Sequence, residues 1–152
     1  MTGEEAPSSP VLRQVVLDTT DARRSAEFYR QLLGLEYRAG DETPPAGEPD
    51  ERGHDWLVLC DSTGASRLAF QQVASLPPAT WPVDGVPQQL HLDLTVPTAG
   101  NLDVQHGRAL DLGARLLADL SDDEEEPLRV YADPDGHPFC IFVVDESPAG
   151  AG

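Results

Sequence analysis

The chain has 152 residues, enough for one hydrophobic core and too few for two full-sized domains. Its ten cations are all Arg, set against 27 Asp and Glu, for a formal charge of −17. That anionic balance argues against nucleic acid and anionic membrane surfaces as partners, since affinity there comes from Lys and Arg. No apolar run reaches the roughly 18 residues of a membrane span. Cys60 and Cys140 lie far apart with no C-x-x-C motif, which argues against a zinc knuckle or thioredoxin-type site. A reduced, cytoplasmic protein is expected.

Residues 1–10 lack the charged and apolar regions of a signal peptide and read as a flexible end. The first predicted strand is Val11–Asp18. Thr20 or Asp21 then offers an N-cap oxygen. A helix follows, with Ala22, Ala26, Tyr29, Leu32 and Leu33 on one stripe and Gly34 as its stop. Next come a short strand near Leu35–Arg38, a long loop Ala39–Asp55 rich in Pro, Gly and acids, and a strand Trp56–Cys60. The turn Asp61–Gly64 leads to a strand Arg67–Val73.

The linker 74–87 contains four prolines, which suits a stiff crossing. Beyond it the same order returns. A strand Gln89–Val96 precedes a helix capped by Thr98, carrying Leu102, Ala109 and Leu112 and stopped at Gly113. Gly100 and Gly107 each weaken that helix by about 1 kcal/mol, so tertiary packing must hold it. Strands Ala114–Ala118, Leu128–Ala132 and Pro138–Val144 complete the half, with the turn Asp133–Gly136 before the last. The run from Asp119 to Glu126 holds six acids and reads as a solvated loop, because it lacks the ligand spacing of a calcium loop. Both halves are therefore β-α-β-β-β. The expected division is module one 11–73, linker 74–87 and module two 88–144 in one domain, with 145–152 a flexible tail.

Three segments carry a family resemblance: Asp21–Leu35 (DARRSAEFYRQLLGL), His91–Val96 (HLDLTV) and Asp133–Val143 (DPDGHPFCIFV). Together they resemble the vicinal oxygen chelate superfamily, which includes glyoxalase I, extradiol dioxygenases and the fosfomycin and bleomycin resistance proteins. Within it the chain is similar to the glyoxalase-like domain group. The resemblance spans Val11–Val144 and implies an α+β fold in which two βαβββ modules form an open, cup-like barrel. It identifies a fold and leaves the reaction open, because one fold hosts many functions.

Metal enzymes of that superfamily hold their metal with His and Glu on the first and last strand of each module. Carried onto this chain, the first-strand positions fall on Gln14 and His91. The last-strand positions fall on Ala69 or Gln71, with the register open, and on Cys140. Only His91 matches. An amide oxygen is a poor ligand for zinc, nickel or iron. No cofactor is therefore expected. The alternative is a divalent metal (Zn, Ni, Fe or Mn) held by His91, Cys140 and Asp93, since Asp93 shares a strand face with His91.

Each residue also has a plainer reading. His91 suits a hydrogen-bonded pocket histidine or an acid–base group. Asp93, expected on an inner sheet face, would then need partners. Gln14 and Gln71 suit recognition of a neutral polar molecule, because a carboxamide both donates and accepts. Cys140 reads as a small core residue. Trp81 either covers the cup mouth or packs beneath its loop. Asp135 and His137 lie in a turn and are expected to be exposed.

The expected function is binding of a small organic molecule in the cup, by Gln14, Gln71, His91, Asp93 and Trp81, without the four-ligand metal site. The alternative is a metal-dependent lyase, isomerase or dioxygenase using His91. A third reading is an interaction domain whose acidic surface meets a basic partner. The resemblance also implies a homodimer.

Overall fold

A computed structural model describes residues 9–144. Of the two ends expected to be flexible, 1–8 and 145–152 lie outside the described residues. The first module consists of β1 (Val15–Thr19), α1 (Ala22–Leu33), β2 (Glu36–Tyr37), β3 (Trp56–Cys60) and β4 (Ser66–Gln72), with a 3-10 turn at Arg52–His54. The second repeats it as β5 (Leu92–Val96), α2 (Ala99–Leu112), β6 (Arg115–Leu120), β7 (Leu128–Ala132) and β8 (Pro138–Val143). The strand orders are β1-β4-β3-β2 and β5-β8-β7-β6, with the first pair of each parallel. The α+β architecture of two βαβββ modules is as expected. The two sheets remain separate four-stranded sheets and are not closed into a barrel.

The caps fall where the side chains permit. Asp21 accepts from the backbone N–H of Arg24, and Gly34 takes the left-handed conformation at φ 67° that ends α1. Thr98 and Gly113 do the same for α2. The helices differ in how they are held. Six residues of α1 are buried, from Ala22 to Leu32, but in α2 only Leu102 and Ala109 are.

Strand ends depart from the expectations for identifiable reasons. Val11 and Leu12 are apolar but 88% and 83% exposed, because β1 finds partners only from Val15, opposite Leu68. β5 begins at Leu92, opposite Phe139, and the residue before Phe139 is Pro138, which has no N–H to extend the ladder. β6 runs on to Leu120, because Asp119 and Leu120 pair with Arg129 and Leu128.

The loop between β2 and β3 is pinned by ionic contacts. The Asp41 carboxylate is fully buried and accepts from the Val58 N–H and the Arg52 guanidinium, each at 2.9 Å. Arg23 on α1 holds both Asp50 carboxylate oxygens at 2.8 Å and donates to the Asp41 carbonyl at 2.7 Å.

One hydrophobic cluster spans both modules. Tyr29 stacks on Phe70 of its own module at 5.8 Å, Phe28 meets Phe139 of the other at 5.9 Å, and Tyr131 stacks on Phe139 at 5.1 Å. At its centre the Tyr29 hydroxyl donates to Asp133 Oδ2 at 2.6 Å, across 104 residues of chain. The other Asp133 oxygen accepts from the N–H groups of Asp135 and His137. Asp135 in turn bonds the Arg24 guanidinium at 2.6 Å, and His137 Nε2 donates to the Asp18 carbonyl at 2.6 Å. Asp135 and His137 were expected to be exposed. Instead the Asp135 side chain is 2% exposed and His137 is half-buried, because their turn is docked against the first module.

Tyr29→Phe should therefore cost about 2 kcal/mol in denaturant unfolding at neutral pH, the range for a hydrogen bond to a charged group. Burial raises the Asp133 carboxyl above the usual range although Tyr29 opposes this, so acid neutralises the acceptor and the cost should shrink at low pH. The three tyrosines give a second check. Burial raises all of them, with Tyr131 pushed up to about 12. Absorbance at 295 nm should show little tyrosinate in the folded protein at pH ~10, where unfolded tyrosines are half ionised. Because the folded values are raised, the associated stability is complete below that pH and is lost as pH climbs through the folded values.

Candidate functional site in the cup

Strand alternation gives each sheet a helix face and an opposite face. Val15, Leu17, Leu68, Phe70, Leu92, Leu94, Phe139 and Ile141 belong to the core cluster. Their neighbours Gln14, Val16, Asp18, Ala69 and Gln71 in the first sheet therefore face the cup. So do His91, Asp93, Thr95, Cys140 and Phe142 in the second.

Pairing register settles which residues correspond. Val15 opposes Leu68 as Leu92 opposes Phe139, so Val16–Ala69 in the first module matches Asp93–Cys140 in the second. The module-one partner of Cys140 is thus Ala69 rather than Gln71. The four positions corresponding to the superfamily ligands hold Gln14, Ala69, His91 and Cys140. Gln14 is a weak donor and Ala69 offers none, so these residues do not fit a four-ligand metal site.

Three of the candidate residues come together. His91 Nε2 lies 3.1 Å from Asp93 Oδ1, Asp93 opposes Cys140 across β5 and β8, and one donor atom from each lies within 4.8 Å of the others. Asp93 was expected on an enclosed face but is 56% exposed, and its contact is His91. Cys140 is buried, as expected of a small core residue, but on the cup side. Burial first, and the Asp93 charge second, push its thiol up to about 11, so it is protonated at neutral pH.

The other candidates lie apart from that group. Gln71 is exposed and neighbours Asp18 and Trp56 in register. Gln14 is half-buried, and its Oε1 is enclosed with no hydrogen-bond partner among the described residues. Trp81 is 38% exposed on the linker, and its bond to Pro82 is cis.

The linker does more than cross. Together with β1 and the start of β8 it forms a half-open pocket of about 320 Å³. Val16, Leu76, Pro77 and Pro138 supply apolar wall, and Asp18 and Gln88 supply polar groups. Gln88 Oε1 is also buried, with no hydrogen-bond partner among the described residues. None of Gln14, Gln71, His91, Asp93 or Trp81 lines this cavity. Strand alternation from Gln14 already puts Asp18 on the cup face, but nothing in the chain order marks Gln88 or Leu76.

The family profile described as a glyoxalase-like domain matches residues 14–142. The chain belongs to the glyoxalase-like domain family. No curated protein matches it. Solved structures agree on the fold of this glyoxalase-like protein. A glyoxalase/bleomycin resistance protein/dioxygenase family enzyme from Burkholderia phytofirmans is similar at TM-score 0.61 and 20% identity, covering 87% of this chain and 97% of that one. A glyoxalase/dioxygenase from Nostoc punctiforme gives 0.61 and 17%, with 93% and 98% covered. A fosfomycin resistance protein from Mesorhizobium loti gives 0.60 and 11%, with 91% and 94% covered. At these identities the likeness concerns fold alone.

The linker's seat on the second module is narrow. Gly136 has φ 91°, and a Cβ there would meet Pro78 Cβ at 2.4 Å and Pro78 Cα at 3.0 Å. Gly136→Ala combines backbone strain with a clash, and should cost roughly 1–3 kcal/mol. Limited proteolysis should then cut the linker faster than in the parent protein.

Proposed function

We propose that this glyoxalase-like protein binds a small organic molecule on the cup face, without the four-ligand metal site of the superfamily's metal enzymes. One observation carries the reading: a half-open, mainly apolar pocket between β1, the linker and the start of β8, with Asp18 and Gln88 in its wall. At about 320 Å³ the cavity is at the small end of ligand pockets. Its chemistry favours a compact, largely apolar molecule with one or two N–H or O–H groups. Asp18 offers a second acceptor. A longer ligand would extend from the pocket toward Gln14, Gln71, His91, Asp93 and Trp81.

A second reading, a metal-dependent lyase, isomerase or dioxygenase using His91, is favoured by the His91–Asp93–Cys140 group alone.

Thermal-shift screening of chelator-treated protein with small amines, alcohols, amides and carboxylic acids tests the first reading. A true ligand at 100 times its dissociation constant should add about 2.7 kcal/mol of stability. Gln88→Leu should weaken that ligand by roughly tenfold, the value of one hydrogen bond, and Ala79→Phe, which fills the cavity, should abolish its binding. A panel that produces no saturable shift, or a shift that persists in Ala79→Phe, would overturn the proposal.

A further inference from the structure

The pocket beneath the linker has a single carboxylate in its wall. Its polar side chains are Asp18, Gln88, Gln89 and His137, and no arginine lines it. Asp18 stands on the cup face of β1, two residues after Val16, which lines the same pocket. Among the described residues the Asp18 carboxylate has no ion pair and no hydrogen bond. His137 Nε2 takes the main-chain carbonyl of Asp18 instead, at 2.6 Å. Cations to neutralise it are scarce. The chain has ten Arg and no Lys, and seven of those arginines are paired with other carboxylates. Asp135, in the turn that carries His137, is itself spent on Arg24.

We infer that this pocket selects a small organic cation, a protonated amine with a compact apolar body, whose ammonium group pairs with Asp18. The inference rests on the proposed small-molecule reading and narrows it to one charge class.

The cost of covering Asp18 decides the class. A ligand seated against this carboxylate takes water from it. A neutral molecule returns at most a hydrogen bond, and an anion adds repulsion. An ammonium group returns a charge-assisted hydrogen bond, about twice as strong as a neutral one. The rest of the wall suits the rest of such a molecule. Val16 and Leu90 are 39% and 45% exposed, so apolar surface stands open beside the carboxylate, with Leu76, Pro77 and Pro138 around it. The field of the whole chain acts in the same direction. A formal charge of −17 concentrates cations at the surface and repels anions before any contact forms. Attraction at a distance is shared by every acidic patch, whereas the apolar wall beside Asp18 is particular to this pocket.

Matched probes test the charge alone. Benzylamine, benzyl alcohol and benzoate share one ring and differ in their polar group, as do cyclohexylamine, cyclohexanol and cyclohexanecarboxylate. Each is titrated into the full-length protein at about pH 8, where the amines are protonated, and binding is read by calorimetry and thermal shift. At least one amine should bind saturably and roughly tenfold or more tighter than its alcohol, and the carboxylates should bind least. Asp18→Asn keeps the side chain's shape and should remove that advantage while leaving the alcohol's affinity unchanged. Glu124→Gln removes the same charge from the distant acidic loop and should leave amine binding intact. Added sodium chloride should weaken the amines and spare the alcohols. Alcohols that bind as tightly as the amines would overturn the charge class and leave the small-molecule reading standing. So would an amine advantage that survives Asp18→Asn, or one that Glu124→Gln lowers equally. No saturable binding by any of the six probes would overturn this inference, and a wider panel that also fails would remove the small-molecule reading with it.

Discussion

The hydrogen bond from Tyr29 to Asp133 joins the two modules inside the hydrophobic cluster they share. A carboxylate as buried as Asp133 is costly unless it is hydrogen-bonded. Here one oxygen takes the tyrosine hydroxyl and the other takes two backbone N–H groups of its own turn. The same contacts fix the turn's shape and its docking. Because the turn is shaped, Asp135 and His137 reach Arg24 and the Asp18 carbonyl in the first module. Because it is docked, β8 begins beside β1, and the cavity beneath the linker has a wall from each module.

The latch is built on one side only, although the modules repeat. Asp61 stands where Asp133 stands in the repeat, yet it bonds within its own turn, to Thr63 and Ala65. The residue matching Tyr29 in the second helix is His106, the same distance from its N-cap, and its Nδ1 pairs with the Tyr131 hydroxyl inside its own module. Two copies of one topology thus divide the work. One side carries the inter-module bond, and the other is held by shared apolar packing and the Arg108 contact to the Gln31 carbonyl.

Much of this fold was legible in the chain. Element order, both N-caps, both glycine stops and the strands Trp56–Cys60 and Leu128–Ala132 follow from local chemistry, which a sequence displays directly. The DPDG turn was legible as a motif but not as a contact. Nothing local distinguishes an Asp that is solvated from one that meets a tyrosine 104 residues away. For the same reason Asp135 and His137 read as exposed. Asp93 failed in the opposite direction. Its alternation was read correctly, but β5 is an edge strand, and an edge face is open to solvent where a central one is covered. The linker's prolines predicted stiffness, but its role as a cavity wall depends on Gly136 yielding room to Pro78, a fit that exists only in three dimensions.

The candidate site shows how a repeat can lose symmetry without losing shape. Core positions in both modules stay apolar, because each sheet must bury its helix face whatever the cup contains. Cup positions carry no such constraint, and there the modules diverge most: Gln14 against His91, Val16 against Asp93, Ala69 against Cys140. The same backbone register therefore presents an amide and two apolar side chains on one sheet and three potential metal donors on the other. Ala69 is fully buried, so restoring a donor at that position would place a polar group where the first sheet gives it no water. Cys140 tolerates a similar position because a protonated thiol is nearly apolar. The donors of the second module thus stand in a place where the fold does not need metal to be stable. This separates the cup's chemistry from the latch that holds the modules together.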